Sequence, residues 1–328
     1  MYNLPIAIYG ALLAFGISVI LGPILIPVLR RLKFGQNVRE DGPKTHLKKS
    51  GVPSMGGIVI ISAIFLSSLI FSDWNAQWQL VMYLMITFGF IGFFDDYIKV
   101  VKKRSLGLRA WQKFSMQTIA AVGFVLLLQY HDISTIFYIP FTNGAFIDLG
   151  WASPLFIIIV VGGTSNGANF TDGLDGLASG VTLLIAIFFL YVAVATGSPL
   201  VPSLGAASGA LLGFLLFNSY PARVFMGDTG SLALGGFVAA VAVILQMPLL
   251  ILIVAFVYLA EVGSVILQVS YFKITKKMHG EGKRLFKMAP VHHHFEMLGW
   301  PETRVVAVFY IATAILCLIG FIAVGHLF

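Results

Sequence analysis

Apolar runs of about 17 to 25 residues recur from one end of this chain to the other, each long enough to cross about 30 Å of hydrocarbon. Of its 328 residues only 11% are charged, against about 25% in a soluble domain, so an ordinary water-soluble fold is excluded. Ten spans are expected, over 4–29, 55–72, 79–97, 113–130, 153–170, 176–196, 203–219, 231–247, 248–272 and 304–325. The fold class that follows is an all-α polytopic integral membrane protein built as one transmembrane domain over 1–328, with no repeat or linker to divide it. The first run has no basic flank ahead of it and no small-residue cleavage site after it, so it reads as a retained span. The single cysteine, Cys317, excludes an intrachain disulfide and a thiol metal site.

Charge gives the runs a direction. All 21 Lys and Arg fall in 30–49, 99–113, position 223 and 273–304, while the alternate loops near 73–78, 131–152, 197–202 and 247 hold none. By the positive-inside rule the basic loops are cytoplasmic, and with an even number of spans both termini face outward. On the outer side, Ile136–Gly150 reads as a small β-hairpin in which Asn143-Gly144 supplies the positive φ angles of a tight turn.

The acids carry the chemistry. A charge at the mouth of a span is costly unless it has a partner or a task. Asp95 and Asp96 close the third span, and Lys99 lies four and three residues on, within reach of both on a helix. One Asp–Lys pair would be a cap; a second adjacent carboxylate leaves charge that suits a hard divalent ion or a proton acceptor. Between the fifth and sixth spans, Asn166 to Leu177 gathers Asn166, Asn169, Asp172 and Asp175 among three glycines, more polar groups than a turn requires. Asn218 and the run Phe225-Met226-Gly227-Asp228-Thr229-Gly230-Ser231 lead into the eighth span, as a helix cap or as a phosphate and metal site. Before the last span stand His292, His293 and His294, which point in different directions on any regular backbone and so do not all bind one ion. Glu261, within the ninth span, reads as a helix-to-helix hydrogen bond. A transporter would hold its acids near the bilayer midplane; here all but Glu261 of these sit at the basic ends of spans.

At these residues the chain resembles the polyprenyl-phosphate N-acetylhexosamine-1-phosphate transferase superfamily. The likeness rests on Pro53-Ser54-Met55-Gly56-Gly57, Asp95 to Lys99, Asn166 to Leu177, Phe225 to Ser231 and Met288 to Glu296, in that order and over nearly the whole chain. The histidine run resembles the branch that handles muramoyl-pentapeptide. The resemblance implies a Mg²⁺-dependent phosphoglycosyl transferase of bacterial cell-wall synthesis. Such an enzyme moves phospho-N-acetylmuramoyl-pentapeptide from UDP-N-acetylmuramoyl-pentapeptide to undecaprenyl phosphate, giving lipid I and UMP. It implies Asp228 as a Mg²⁺ ligand, with Asp95 and Asp96 activating the lipid phosphate or helping to hold the ion, and Lys99 among the cations that position phosphate. Phe225 would stack on uracil, and Lys48, Asp172, Gly173, Leu174 and Asp175 would form the nucleoside pocket. Asn169 and Asn218 would line the site, while His292, His293 and His294 would meet phosphate or the muramoyl part. A lateral groove beside Glu261 would take the polyprenyl chain. The resemblance further implies a homodimer in the lipid of the bacterial inner membrane, its site on the cytoplasmic face, with no nucleic-acid partner.

Overall fold

The computed structural model describes residues 4–32, 49, 51–101 and 107–325. Among them, nine helices are long and apolar enough to cross a membrane: α1 (Leu4–Arg31), α3 (Ala76–Val101), α4 (Ala110–Tyr130), α5 (Ser153–Thr171), α6 (Leu177–Ala195), α7 (Val201–Asn218), α8 (Gly227–Ile244), α10 (Phe256–His279) and α12 (Glu302–Ala323). The expected second span is the shorter α2 (Gly57–Phe71), which at 15 residues is about 22 Å long. It still runs from face to face. Its first residues pair with the chain entering α8, Gly56 N–H to Phe225 O at 2.8 Å and Gly57 N–H to Met226 O at 2.9 Å. Its far end meets the start of α3, where the Trp78 indole donates to Ser68 Oγ at 3.1 Å.

The expected ninth span is interrupted. Ala255, at φ −108° and ψ 24°, leaves the helical region and divides the run into a short α9 (Ile251–Val254), packed on α12, and the long α10, packed on α5. α10 continues past residue 272 to His279.

α8 is the central helix: 89% of it is buried, with α3, α5, α2 and α6 around it. Small residues set the approach elsewhere too. Gly205, Gly209 and Gly213 lie at four-residue spacing on the face of α7 that meets α1, where a Cβ would run into the backbone of Ala7, Ala11 and Phe15. Inside a membrane, where apolar burial does not drive helices together, such contact is what holds them.

On the face opposite the basic loops, β1 (Ile136–Tyr138) pairs antiparallel with β2 (Phe146–Asp148), Phe137 opposite Ile147. The hairpin is the expected one, but its turn is not the two-residue type. Positive φ falls on Phe141 (63°) and Gly144 (83°), not on Asn143. The loop is longer than two residues, and Thr142 closes it by donating to Ile139 O at 2.6 Å and accepting from Ala145 N–H at 3.1 Å. Tyr138 ties it down, its N–H on Gln246 O at 2.7 Å and its hydroxyl on Ala323 O at 2.7 Å, so it clasps the ends of α8 and α12.

Candidate active site

At the basic end of the bundle, four helix termini converge: the ends of α3 and α5 and the starts of α4 and α8. Gly92 permits the closest crossing, since a Cβ there would run into the Asp228 carbonyl. The last turn of α3 thereby lies against the first turn of α8, and the carboxylates of Asp95, Asp96 and Asp228 offer oxygens within 4.8 Å of one another.

Two ammonium groups enter the same space. Lys99 lies 2.6 Å from Asp95 Oδ2, 3.7 Å from Asp96 Oδ1 and 3.0 Å from Asp228 Oδ2. Lys113, from the first turn of α4, lies 2.8 Å from the same Asp228 oxygen and donates to Asn169 Oδ1 at 3.1 Å. Asn169 in turn donates to Asp228 Oδ1 at 3.0 Å and Ser231 Oγ at 2.8 Å. Asp228 is thus held on both oxygens, and three carboxylates face two cations. Hard, closely spaced oxygens with a residual negative charge fit a divalent cation such as Mg²⁺. Asp95, Asp96 and Asp228 could each offer it an oxygen, although all three are already engaged; Asp96 accepts from the N–H of Asp228 at 3.2 Å, the N–H of Thr229 at 2.9 Å and the Thr229 hydroxyl at 2.7 Å. Asp95 Oδ1 accepts the Leu108 N–H at 2.7 Å, which places the loop into α4 over it.

Beside this cluster lies the α5–α6 loop. Burial, then the nearby charges of Asp228 and Asp96, push the Asp172 carboxyl well above the usual carboxylate range, against a backbone hydrogen bond from Gly227. Leu174 is buried, and Asp175 is fixed on both oxygens, Oδ1 to Lys49 at 2.6 Å and Oδ2 from the Ala222 N–H at 2.9 Å. Glu302, opening α12, takes Lys49 at 2.5 Å and the Asp175 N–H at 2.7 Å. Burial alone would lower the Lys49 pKa; its hydrogen bonds and charge pairing with Asp175 and Glu302 outweigh that and raise it. Phe225 is half-buried, its backbone paired with Pro53 O and Gly56 N–H, and Asn218 braces the residue before it by donating to Val224 O at 3.0 Å.

The three histidines do diverge. On α11 (Val291–Met297), His292 turns inward to Glu261, His293 Nδ1 meets Glu296 at 2.7 Å, and His294 Nδ1 accepts the Lys287 N–H at 3.1 Å. His292 Nε2 abuts Gly173, where a Cβ would collide with it. Glu261 is fully buried, so it does not line a lateral groove as expected. A groove of about 370 Å³ lies farther along α10, between Val265, Val269, Phe272 and Lys273 and the loop bearing Arg284 and Met288.

Asp95, Asp96, Lys99, Asn169 and Asp228 therefore form one network, Asp172 adjoins it, and Asp175 belongs to a second network with Glu302. Lys48 lies outside the described residues, and its neighbour Lys49 makes the contacts. Lys49, Lys113 and Glu302 were not singled out by sequence, where they read as loop charges or a helix start; only their position at span boundaries marked them.

The sequence matches glycosyl transferase family 4 over residues 78–246. It is 50% identical to the phospho-N-acetylmuramoyl-pentapeptide-transferase of Clostridium kluyveri over 98% of this chain and 100% of that one. The enzymes of the same name from Clostridioides difficile and Acetivibrio thermocellus are 50% and 46% identical, over 96% and 98% of this chain and 97% and 96% of theirs. With likeness running from α1 through α12, the chain belongs to the phospho-N-acetylmuramoyl-pentapeptide-transferase family of membrane phosphoglycosyl transferases.

Proposed function

We propose that this chain, as a single catalytic unit in the bacterial cytoplasmic membrane, transfers phospho-N-acetylmuramoyl-pentapeptide from its UDP carrier to undecaprenyl phosphate. The products are lipid I and UMP, and the site faces the cytoplasm. The observation that supports this most directly is the meeting of Asp95, Asp228, Lys99 and Lys113 at the basic end of the helices, where a soluble nucleotide and a membrane-borne phosphate reach one point.

In the reaction an oxygen of the lipid phosphate bonds to the sugar-bearing phosphorus, and the bond from that phosphorus to the bridging oxygen breaks, its electrons leaving with UMP. One pyrophosphate replaces another, so catalysis consists of positioning two anions and stabilising the charge of the transferring group. Asp228, with Asp95 beside it, would hold Mg²⁺, which would supply charge neutralisation. Lys99 and Lys113 bring cations to the same phosphates, and Asn169 orients Asp228. Where Asp95 does not help to hold the ion, it accepts the remaining proton of the lipid phosphate in a direct attack. Phe225 stacks on uracil; Asp172, Gly173, Leu174 and Asp175, with Asn218 behind Phe225, shape the nucleoside pocket, and Lys48 belongs to it by resemblance. His292 backs that loop, while His293 and His294 meet the muramoyl part. The polyprenyl tail follows the groove beside Phe272, with Lys273 and Arg284 at its mouth. The active form is a homodimer, as the resemblance implies.

The purified protein, given UDP-N-acetylmuramoyl-pentapeptide, undecaprenyl phosphate and Mg²⁺, should release UMP and form lipid I. Turnover only with UDP-N-acetylglucosamine would overturn the reading. Sidedness is read separately: a cysteine placed at exposed Glu281 should react with an impermeant maleimide in inverted vesicles and not in intact cells, with Cys317 buried and silent.

A further inference from the structure

Two adjacent carboxylates close α3, and the structure sets them to different work. Asp95 turns to Lys99 and the Leu108 N–H. Asp96, 4% exposed, turns to the neighbouring helix: it receives the N–H groups of Asp228 and Thr229 and the Thr229 hydroxyl. The first N–H groups of a helix have no partner within it. α8 has no cap of its own, because the residue before it is Met226, whose side chain accepts nothing there. The cap comes from 132 residues upstream, on another helix. A carboxylate also gains from the positive end of the α8 dipole. The fit is tight: Gly227 sits at φ 72°, and a Cβ on it would lie 2.6 Å from Asp96 Oδ2.

We infer that Asp96 is a positioning residue: it caps α8 from across the helix interface and so sets where the Asp228 carboxylate stands, leaving Asp95 as the one member of the pair that meets the reacting groups. The inference rests on the reading of the site given above and refines it.

A double-mutant cycle tests it. Both variants keep shape: Asp96→Asn removes the charge that all three donors meet, and Thr229→Val removes the hydroxyl among them. Two readouts are taken on the purified protein: the melting temperature without substrate or metal, and the Mg²⁺ concentration that half-saturates UMP release. Each single variant should melt lower than wild type and need about 3- to 30-fold more Mg²⁺, the scale of a lost cap. The double variant should do no worse than the more impaired single one, and the pH–rate profile of Asp96→Asn should keep the wild-type shape. Fully additive losses, or a missing limb in that profile, would overturn the inference and make Asp96 a reacting group. If Asp96→Asn does not fold, Thr229→Val decides alone: wild-type melting and wild-type Mg²⁺ demand would overturn it. Were the wild type to make no lipid I, the proposed reaction would fail while the melting cycle still reported on the cap.

Discussion

His292 Nδ1 lies 3.0 Å from Glu261 Oε2, and neither side chain reaches the surface. A carboxyl within a membrane helix is costly, and here its partner comes from outside the span, so α11 is tied to α10 at a point beside the α5–α6 loop. His292 then presents its other face to Gly173. The glycine next to Asp172 is where the histidine needs room.

Glu261→Gln keeps an acceptor for the ring N–H and should lower the melting temperature little. Glu261→Leu leaves the buried ring without it and should cost about 1–3 kcal/mol. Denaturant or thermal unfolding in detergent separates the two; equal losses would mean that the charge, not the hydrogen bond, holds the pair.

Asp228→Asn should abolish turnover while the protein stays folded. The amide keeps the shape and loses the charge that two lysines meet there and that a hard cation would need. Lipid I formation is the assay, with melting temperature as the control for folding. Near wild-type turnover would return Asp228 to the helix start it occupies.

Phe225→Ala should weaken binding of the UDP substrate, by about 1–3 kcal/mol if base–aromatic stacking is the guide. Titration calorimetry with the nucleotide checks it. An unchanged affinity would leave Phe225 as packing over Pro53.

Asp172 makes a prediction about pH. Its carboxyl is raised above the ordinary value, so between about pH 3.9 and that raised value the folded chain keeps a proton that the unfolded chain has lost. Stability therefore falls as pH rises through this window. Asp172→Asn removes the slope, and in metal-free detergent its melting temperature should gain on wild type as pH increases. Parallel curves for the two proteins would show that Asp172 is ionised in the fold.

Most of the spans and the acid-bearing segments were legible because length, hydrophobicity and charge are local properties. The work of each acid was not. Asp95 and Asp96 are neighbours in sequence with the same partner in reach, Lys99, and only the crossing of α3 over α8 at Gly92 turns one to the loop and the other to Thr229. Lys113 read as one basic residue among six until α4 brought it to Asp228. The interruption at Ala255 carries no glycine or proline of its own, so an apolar run seemed continuous where the chain changes neighbours from α12 to α5.

Lys49 and Glu302 close their contact across 253 residues of chain, and synthesis delivers the two ends at different times. Asp95, Asp172 and Asp228 are all translated before α12 exists. The clasp that secures Asp175 to Lys49, in the segment between α1 and α2, therefore awaits insertion of the last helix. A chain that stalls or is cut before residue 302 would already carry its acids in the membrane yet lack the fastening that holds the α5–α6 loop to α12, a built-in order in which the last helix completes what the earlier ones begin.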